Sequence, residues 1–245
     1  MQFESQHALK EYLLKNQSLT DLHIEDSQEL IELPALPENI TRLRVDNCPN
    51  LKGLPALPYF LTKLRIYKCE SIESLPPLPH GVTHLNVYSC LKLKCLPTLP
   101  SKLALLWIDD CPLEHLPTLP ETVYLLHIYN CLNLKRLPAI PGALETMRIS
   151  KCIQIKALPA VPSSLRQLLV RRLNLMALPA LPAELNNLTI EYCELLANIP
   201  ALPENLKNLR VFGCSAIECL PKFPSKIEKV LVQKCPNLKT IKLKK

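Results

Sequence analysis

Residues 54–76 read LPALPYFLTKLRIYKCESIESLP and hold one full unit of a pattern that recurs along the 245-residue chain. Its apolar positions are Leu61, Leu64, Ile66, Cys69 and Ile72, followed by the next Leu75-Pro76. One unit earlier they are Ile40, Leu43, Val45, Cys48 and Leu51; one unit later they are Val82, Leu85, Val87, Cys90 and Leu93. The motif LPxLP starts at Leu33, Leu54, Leu75, Leu96, Leu116, Leu137, Leu158, Leu178, Ile199 and Leu220, in steps of 20 or 21 residues, and accounts for 20 of the 24 prolines. A copy without that motif precedes the series (Leu19, Leu22, Ile24, Ser27, Leu30), and a last one closes it (Ile227, Val230, Val232, Cys235, Leu238, Ile241).

This spacing is that of the leucine-rich repeat. In each unit the central LxL predicts a short strand with alternate side chains turned inward. One strand cannot bury its apolar row alone. The next turn, stacked at ~4.8 Å, closes the row and extends a parallel sheet. Two prolines three residues apart exclude a regular helix on the return path and suit an extended run. The fold class is therefore an α/β solenoid: a leucine-rich repeat horseshoe with a parallel concave β-sheet, an extended, polyproline-like convex side and a single N-terminal capping helix. The cap occupies 1–17, with a helix over 3–15, Ser5 as its N-cap and Phe3, Leu9, Tyr12 and Leu13 on its inner side. Eleven turns take 18–241, and a basic tail, 242–245, blunts the open end with charge.

Nine of the eleven cysteines hold one repeat position: Cys48, Cys69, Cys90, Cys111, Cys131, Cys152, Cys193, Cys214 and Cys235. Ser27 and Leu173 hold it in the other two turns. A leucine there marks the position as buried, where cysteine acts as a small hydrophobe with a weak donor. Thiols one turn apart form a row, not a tetrahedral metal cluster, and their odd number suits a reducing compartment. Cys95 and Cys219 lie off the row and are expected to be more exposed. The two 20-residue steps lack one residue after Cys111 and after Leu173, where a small change of curvature is expected.

The net charge of +7 sits at one end: residues 1–200 carry 19 basic and 19 acidic side chains, residues 201–245 carry 10 and 3. That excludes a continuous basic stripe and hence a specific nucleic-acid partner, leaving a lysine-rich end as a minor candidate for anionic surfaces. Four glycines leave little room for a phosphate loop. HExxH, GxSxG, GxxxxGK[ST] and CxxC are absent, and the six histidines have no metal spacing. No enzyme activity, cofactor or metal is expected. No apolar run approaches the ~20 residues of a membrane span, and the first residues do not resemble a secretory signal.

Function in a solenoid is read on the open sheet. The middle residues of successive LxL motifs include Arg44, Arg65, Asn86, Trp107, His127 and Arg148; the next outward column includes Tyr67, Tyr88 and Tyr129. Aromatics are scarce, at 5%, yet gather in turns three to six. Arg42, Arg44, Lys63 and Arg65 lie on one side of them, and Arg148, Arg171 and Arg172 on the other. Aromatic residues flanked by arginine are the composition of binding hot spots. The candidate partner-binding residues are Arg44, Arg65, Tyr67, Tyr88, Trp107, His127, Tyr129 and Arg148.

The LPALP and LPTLP punctuation, the 20–21-residue unit and the N-terminal helix resemble the bacterial leucine-rich repeat effectors, including the YopM-like proteins and the repeat domains of the IpaH/SspH ubiquitin ligases. Those repeats usually carry Asn where this chain carries Cys, and their cap is usually a two-helix hairpin. The cysteine version, as in LTKLRIYKCESIESLP, is similar to repeats of plant intracellular immune receptors and of effectors from intracellular pathogens such as Legionella. The resemblance implies delivery by a non-Sec route into the host-cell cytoplasm and binding of a host protein there, by a monomer. The alternative it implies is the recognition domain of a larger ubiquitin ligase or immune receptor.

Overall fold

A computed structural model describes residues 1–239; Ile241 and the basic tail 242–245 lie outside them. The fold is a leucine-rich repeat solenoid with a parallel sheet and, among the described residues, one helix, α1 (Gln6–Lys15). The chain forms two compact units, Met1–Val123 and a second from Tyr124 onward. The first holds β1 (Asp21–Glu25), β2 (Arg42–Asp46), β3 (Lys63–Tyr67), β4 (His84–Tyr88) and β5 (Leu105–Asp109). The second holds β6 (Leu125–Tyr129), β7 (Thr146–Ser150), β8 (Gln167–Arg171), β9 (Asn187–Glu191), β10 (Asn208–Phe212) and β11 (Lys229–Gln233). Within each unit consecutive strands pair in parallel and in unshifted register, so Leu64 lies between Leu43 and Leu85, and Arg65 between Arg44 and Asn86.

The second and fourth residues of each strand from β1 to β10 are buried, as the period-two alternation requires. Three local devices bend the chain around them. The last proline of each LPxLP opens a β-turn into the strand: Leu61 N–H donates to the Pro58 carbonyl at 3.0 Å, and the same bond recurs in the other turns. The residue just after each strand is left-handed, with φ between 49° and 56° at Lys68, Ser89, Lys151, Arg172 and Tyr192, and 66° at Gly213. Its N–H prolongs the sheet by one bond, as from Lys68 to the Tyr88 carbonyl at 2.9 Å, and the next residue is thereby aimed inward. The ladder residue then opens a second turn, Cys69 C=O accepting from Ile72 N–H at 3.2 Å. In the two 20-residue units this second turn is what the missing residue removes: no such bond closes on Leu113 or Leu175 among the described residues.

Each ladder cysteine is buried except Cys235, which is half-buried in the last described turn. Its thiol donates to the carbonyl two residues back, at 3.6 Å from Cys69 to Tyr67 and 3.5 Å from Cys214 to Phe212. Burial pushes the Cys193 thiol up to about 12, so it remains the protonated donor. Ser27 repeats the bond to the Glu25 carbonyl at 3.0 Å, but its oxygen also accepts from Phe3 N–H at 2.8 Å. The second bond answers the extra lone pair that a hydroxyl brings into a buried site. Cys193→Ser, which has no cap segment to supply that donor, is expected to cost about 1–2 kcal/mol. Urea denaturation checks this, and equal stability would show that the ladder tolerates hydroxyls anywhere.

The cap departs from the expected helix at its start. Ser5 is the N-cap, its hydroxyl accepting from Ala8 N–H at 3.1 Å, but the helix begins at Gln6 and not at residue 3. Phe3 is held in extended chain because Met1 C=O accepts from Glu25 N–H at 2.9 Å while Phe3 N–H is taken by Ser27. Phe3, Leu9 and Leu13 are nonetheless buried, and Phe3 packs on Tyr12 at 5.5 Å between centroids.

Candidate protein-binding face

The first, third and fifth residues of each strand stand on the open face of the sheet. In the first unit this face carries a continuous aromatic stack. Tyr67 meets Tyr88 edge to face at 6.2 Å, and Tyr88 meets Trp107 at 5.7 Å. All three are half-buried, so Trp107 lies on the face and not among the leucines. Burial raises the Tyr88 phenol pKa above its ordinary value, keeping it a neutral donor. The Arg65 guanidinium lies 5.5 Å from the Tyr67 ring and 5.8 Å from the Tyr88 ring, within cation–π range of both.

Beside the stack is a cavity of about 410 Å³ whose charged and polar lining is Asp21, Arg42, Arg44, Lys63, Arg65, His84 and Asn86. Asp21 stands 3.7 Å from Arg42 and 3.4 Å from Arg44. Asp46, only 16% exposed, sits 3.3 Å from Arg65 and 3.0 Å from His23. Burial, and then the charge of Lys63, lower the His84 pKa, so this ring adds no charge at neutral pH.

In the second unit His127 and Tyr129 meet edge to face at 6.2 Å. His127 is 5% exposed and gives a partner little surface. Its burial, with the Arg148 charge second, lowers its pKa to about 4. Arg148 donates to Gln167 Oε1 at 3.4 Å. Arg171 and Arg210 both pair with Glu191, and the guanidiniums of Arg171 and Arg172 lie 5.7 and 5.2 Å from the Tyr192 ring.

The structure thus brings Arg44, Arg65, Tyr67, Tyr88 and Trp107 together within the first unit, while His127, Tyr129 and Arg148 belong to the second. Two features were not read from the sequence. One is the cavity itself, foreshadowed by basic residues in the same columns of consecutive repeats. The other is an exposed pair, Tyr59 and Phe60, edge to face at 5.2 Å in the turn before β3, where other units carry small or polar residues. Among the described residues no three His, Cys, Asp or Glu side chains are placed to hold a metal ion, and no helix is long and apolar enough to cross a membrane.

Neither a protein-family model nor a curated protein sequence matches the chain. Solved structures do. A leucine-rich repeat protein from Bacteroides ovatus superposes with a TM-score of 0.51 at 18% identity, over 86% of this chain and 58% of its own, a likeness of fold. YopM from Yersinia pestis, described as a leucine-rich effector protein, matches at 24% identity with a TM-score of 0.36, over 89% of this chain and 83% of its own. YopM from Yersinia enterocolitica matches at 30% identity with a TM-score of 0.51, over 86% of this chain. The chain is thus a leucine-rich repeat protein similar to YopM, and it spans 55% of the Yersinia enterocolitica YopM chain.

Proposed function

We propose that the chain is a non-enzymatic interaction scaffold, a bacterial effector that enters the host-cell cytoplasm by a non-Sec route and binds a host protein, as a monomer, on the open face of its sheet. The observation that carries the binding part is the contiguous Tyr67–Tyr88–Trp107 stack with Arg65 over it and Arg44 on the neighbouring strand. Scarce aromatic side chains gathered on a water-facing wall beside arginines have the make-up of a hot spot. In the second unit Tyr129 is the fifth residue of β6 and Arg148 the third of β7, with His127 largely covered. The effector part is supported by the LPxLP punctuation and the similarity to YopM. An odd total of eleven cysteines suits a reducing cytoplasm, and the cysteine ladder likens the chain to the variant found in intracellular pathogens.

Trp107→Ala combined with Tyr88→Ala is expected to weaken capture of the host partner by about 30-fold, the size of an anchor lost from a hot spot. The circular dichroism spectrum should be unchanged, since neither ring is part of the leucine core. A double variant that draws the same proteins from host lysate as the parent chain would overturn the reading.

A further inference from the structure

The four cations around the cavity are set against one another. The strand register places Lys63 beside Arg42 and Arg65 beside Arg44, and like charges directly across a strand pair destabilise a sheet. Their counter-charges are two carboxylates, Asp21 and Asp46, and Asp46 is shared with His23. Lys63 has no ion pair among the described residues and is exposed at the cavity wall. Counted as formal charges, the four cations against the two carboxylates leave a surplus of two, to which His84 adds nothing. Such an arrangement weakens the empty sheet and is relieved by a bound anion.

We propose that this cavity receives a phosphorylated side chain of a bound protein segment, whose neighbouring residues lie along Tyr88 and Trp107. The proposal deepens the reading of the sheet face as a protein-binding surface and rests on it. A phosphomonoester carries about −1.5 to −2 charges at neutral pH and three strong acceptor oxygens. It neutralises the surplus of two, whereas a single carboxylate leaves one cation uncompensated. Arginine forks bind such tetrahedral oxygens bidentately, and Lys63, opposite Arg42 in the register, adds a point charge. A recess of about 410 Å³ has the size of a site for a side-chain-sized group. Because Arg65 both lines the recess and lies against the Tyr67 and Tyr88 rings, an extended peptide fits the site better than the plane of a lipid bilayer.

The test uses the full chain and immobilised peptides of degenerate sequence, neutral apart from a fixed central phosphotyrosine, phosphoserine or phosphothreonine, beside the same peptides unphosphorylated. The phosphorylated set should be retained at least tenfold better. Arg44→Gln with Lys63→Gln should abolish that preference without lowering Tm, since like-charge opposition is removed; Lys63→Gln alone should reduce it. Trp107→Ala should weaken both sets and keep the preference. Equal retention of the two sets overturns the proposal, as does a preference that survives Arg44→Gln with Lys63→Gln. So does binding to phosphatidylcholine vesicles carrying a phosphoinositide while the phosphopeptides are ignored. Capture of a host protein that depends on Trp107 but is indifferent to phosphatase treatment of the lysate also overturns it, and leaves the protein-binding reading standing.

Discussion

Acidification from pH 7 to pH 4 is expected to remove about 2–3 kcal/mol of stability through His127 alone. In the folded chain burial, helped by Arg148, lowers the pKa of this ring to about 4. In the unfolded chain it titrates near its ordinary value of about 6.5. Between those two pH values the unfolded state binds more protons, so stability falls as pH falls through this window and levels off below it. His127→Gln lacks the group and should lack this part of the slope. Urea midpoints of the parent and the variant, compared at pH 7, 5.5 and 4, isolate the effect from carboxylates that titrate in both. A parent-to-variant difference that is the same at pH 7 and pH 4 would show that the ring is not held neutral.

Gly213→Ala is expected to cost about 3 kcal/mol, part from backbone and part from packing. Gly213 is the one glycine among the left-handed residues that follow the strands, at φ 66°. The other described turns carry side chains there, so the backbone part is of the order of 1 kcal/mol, the cost those turns already bear. The remainder comes from Tyr192, because a β-carbon at residue 213 would lie 2.8 Å from its Cδ1 and 3.0 Å from its Cε1. The ring cannot yield freely: it meets Phe212 at 5.3 Å and lies under Arg171 and Arg172. Tyr192→Ala in the same chain should recover most of the packing cost. If the two substitutions are simply additive in thermal or urea unfolding, the crowding is not what excludes a side chain.

The strands were legible because each LxL alternates with period two and recurs with period 20 or 21, so burial and register follow from counting. The outward columns followed for the same reason, and Trp107 lies on the face where that count put it. The left-handed step after each strand was not legible. Its usual marker is glycine, and here Lys68, Ser89, Lys151, Arg172 and Tyr192 take that conformation, imposed by the stacked turn whose carbonyl each N–H must reach. Nor does the period tell how deep an outward side chain lies. His127 and Arg148 share a column, yet one is buried and the other half-exposed, because depth depends on which neighbours lean over it. The cavity escaped for a similar reason: the basic residues are visible in the columns, but their competition for Asp21 and Asp46 is a matter of rotamers. The start of α1 was misplaced because Phe3 has an inward-facing character that suits either a helix or the edge segment it forms.

The thiol row has a consequence for how such a chain can change over generations. Each sulfur has an acceptor in the carbonyl two residues upstream in its own coil, so no thiol is stranded when one neighbouring coil is exchanged for another. A segment of 20 or 21 codons can therefore be copied in tandem or excised whole, and the seam heals with the leucine rows still aligned. Recognition can then be shifted along the wall by recombination, one coil at a time, without the invention of a new core.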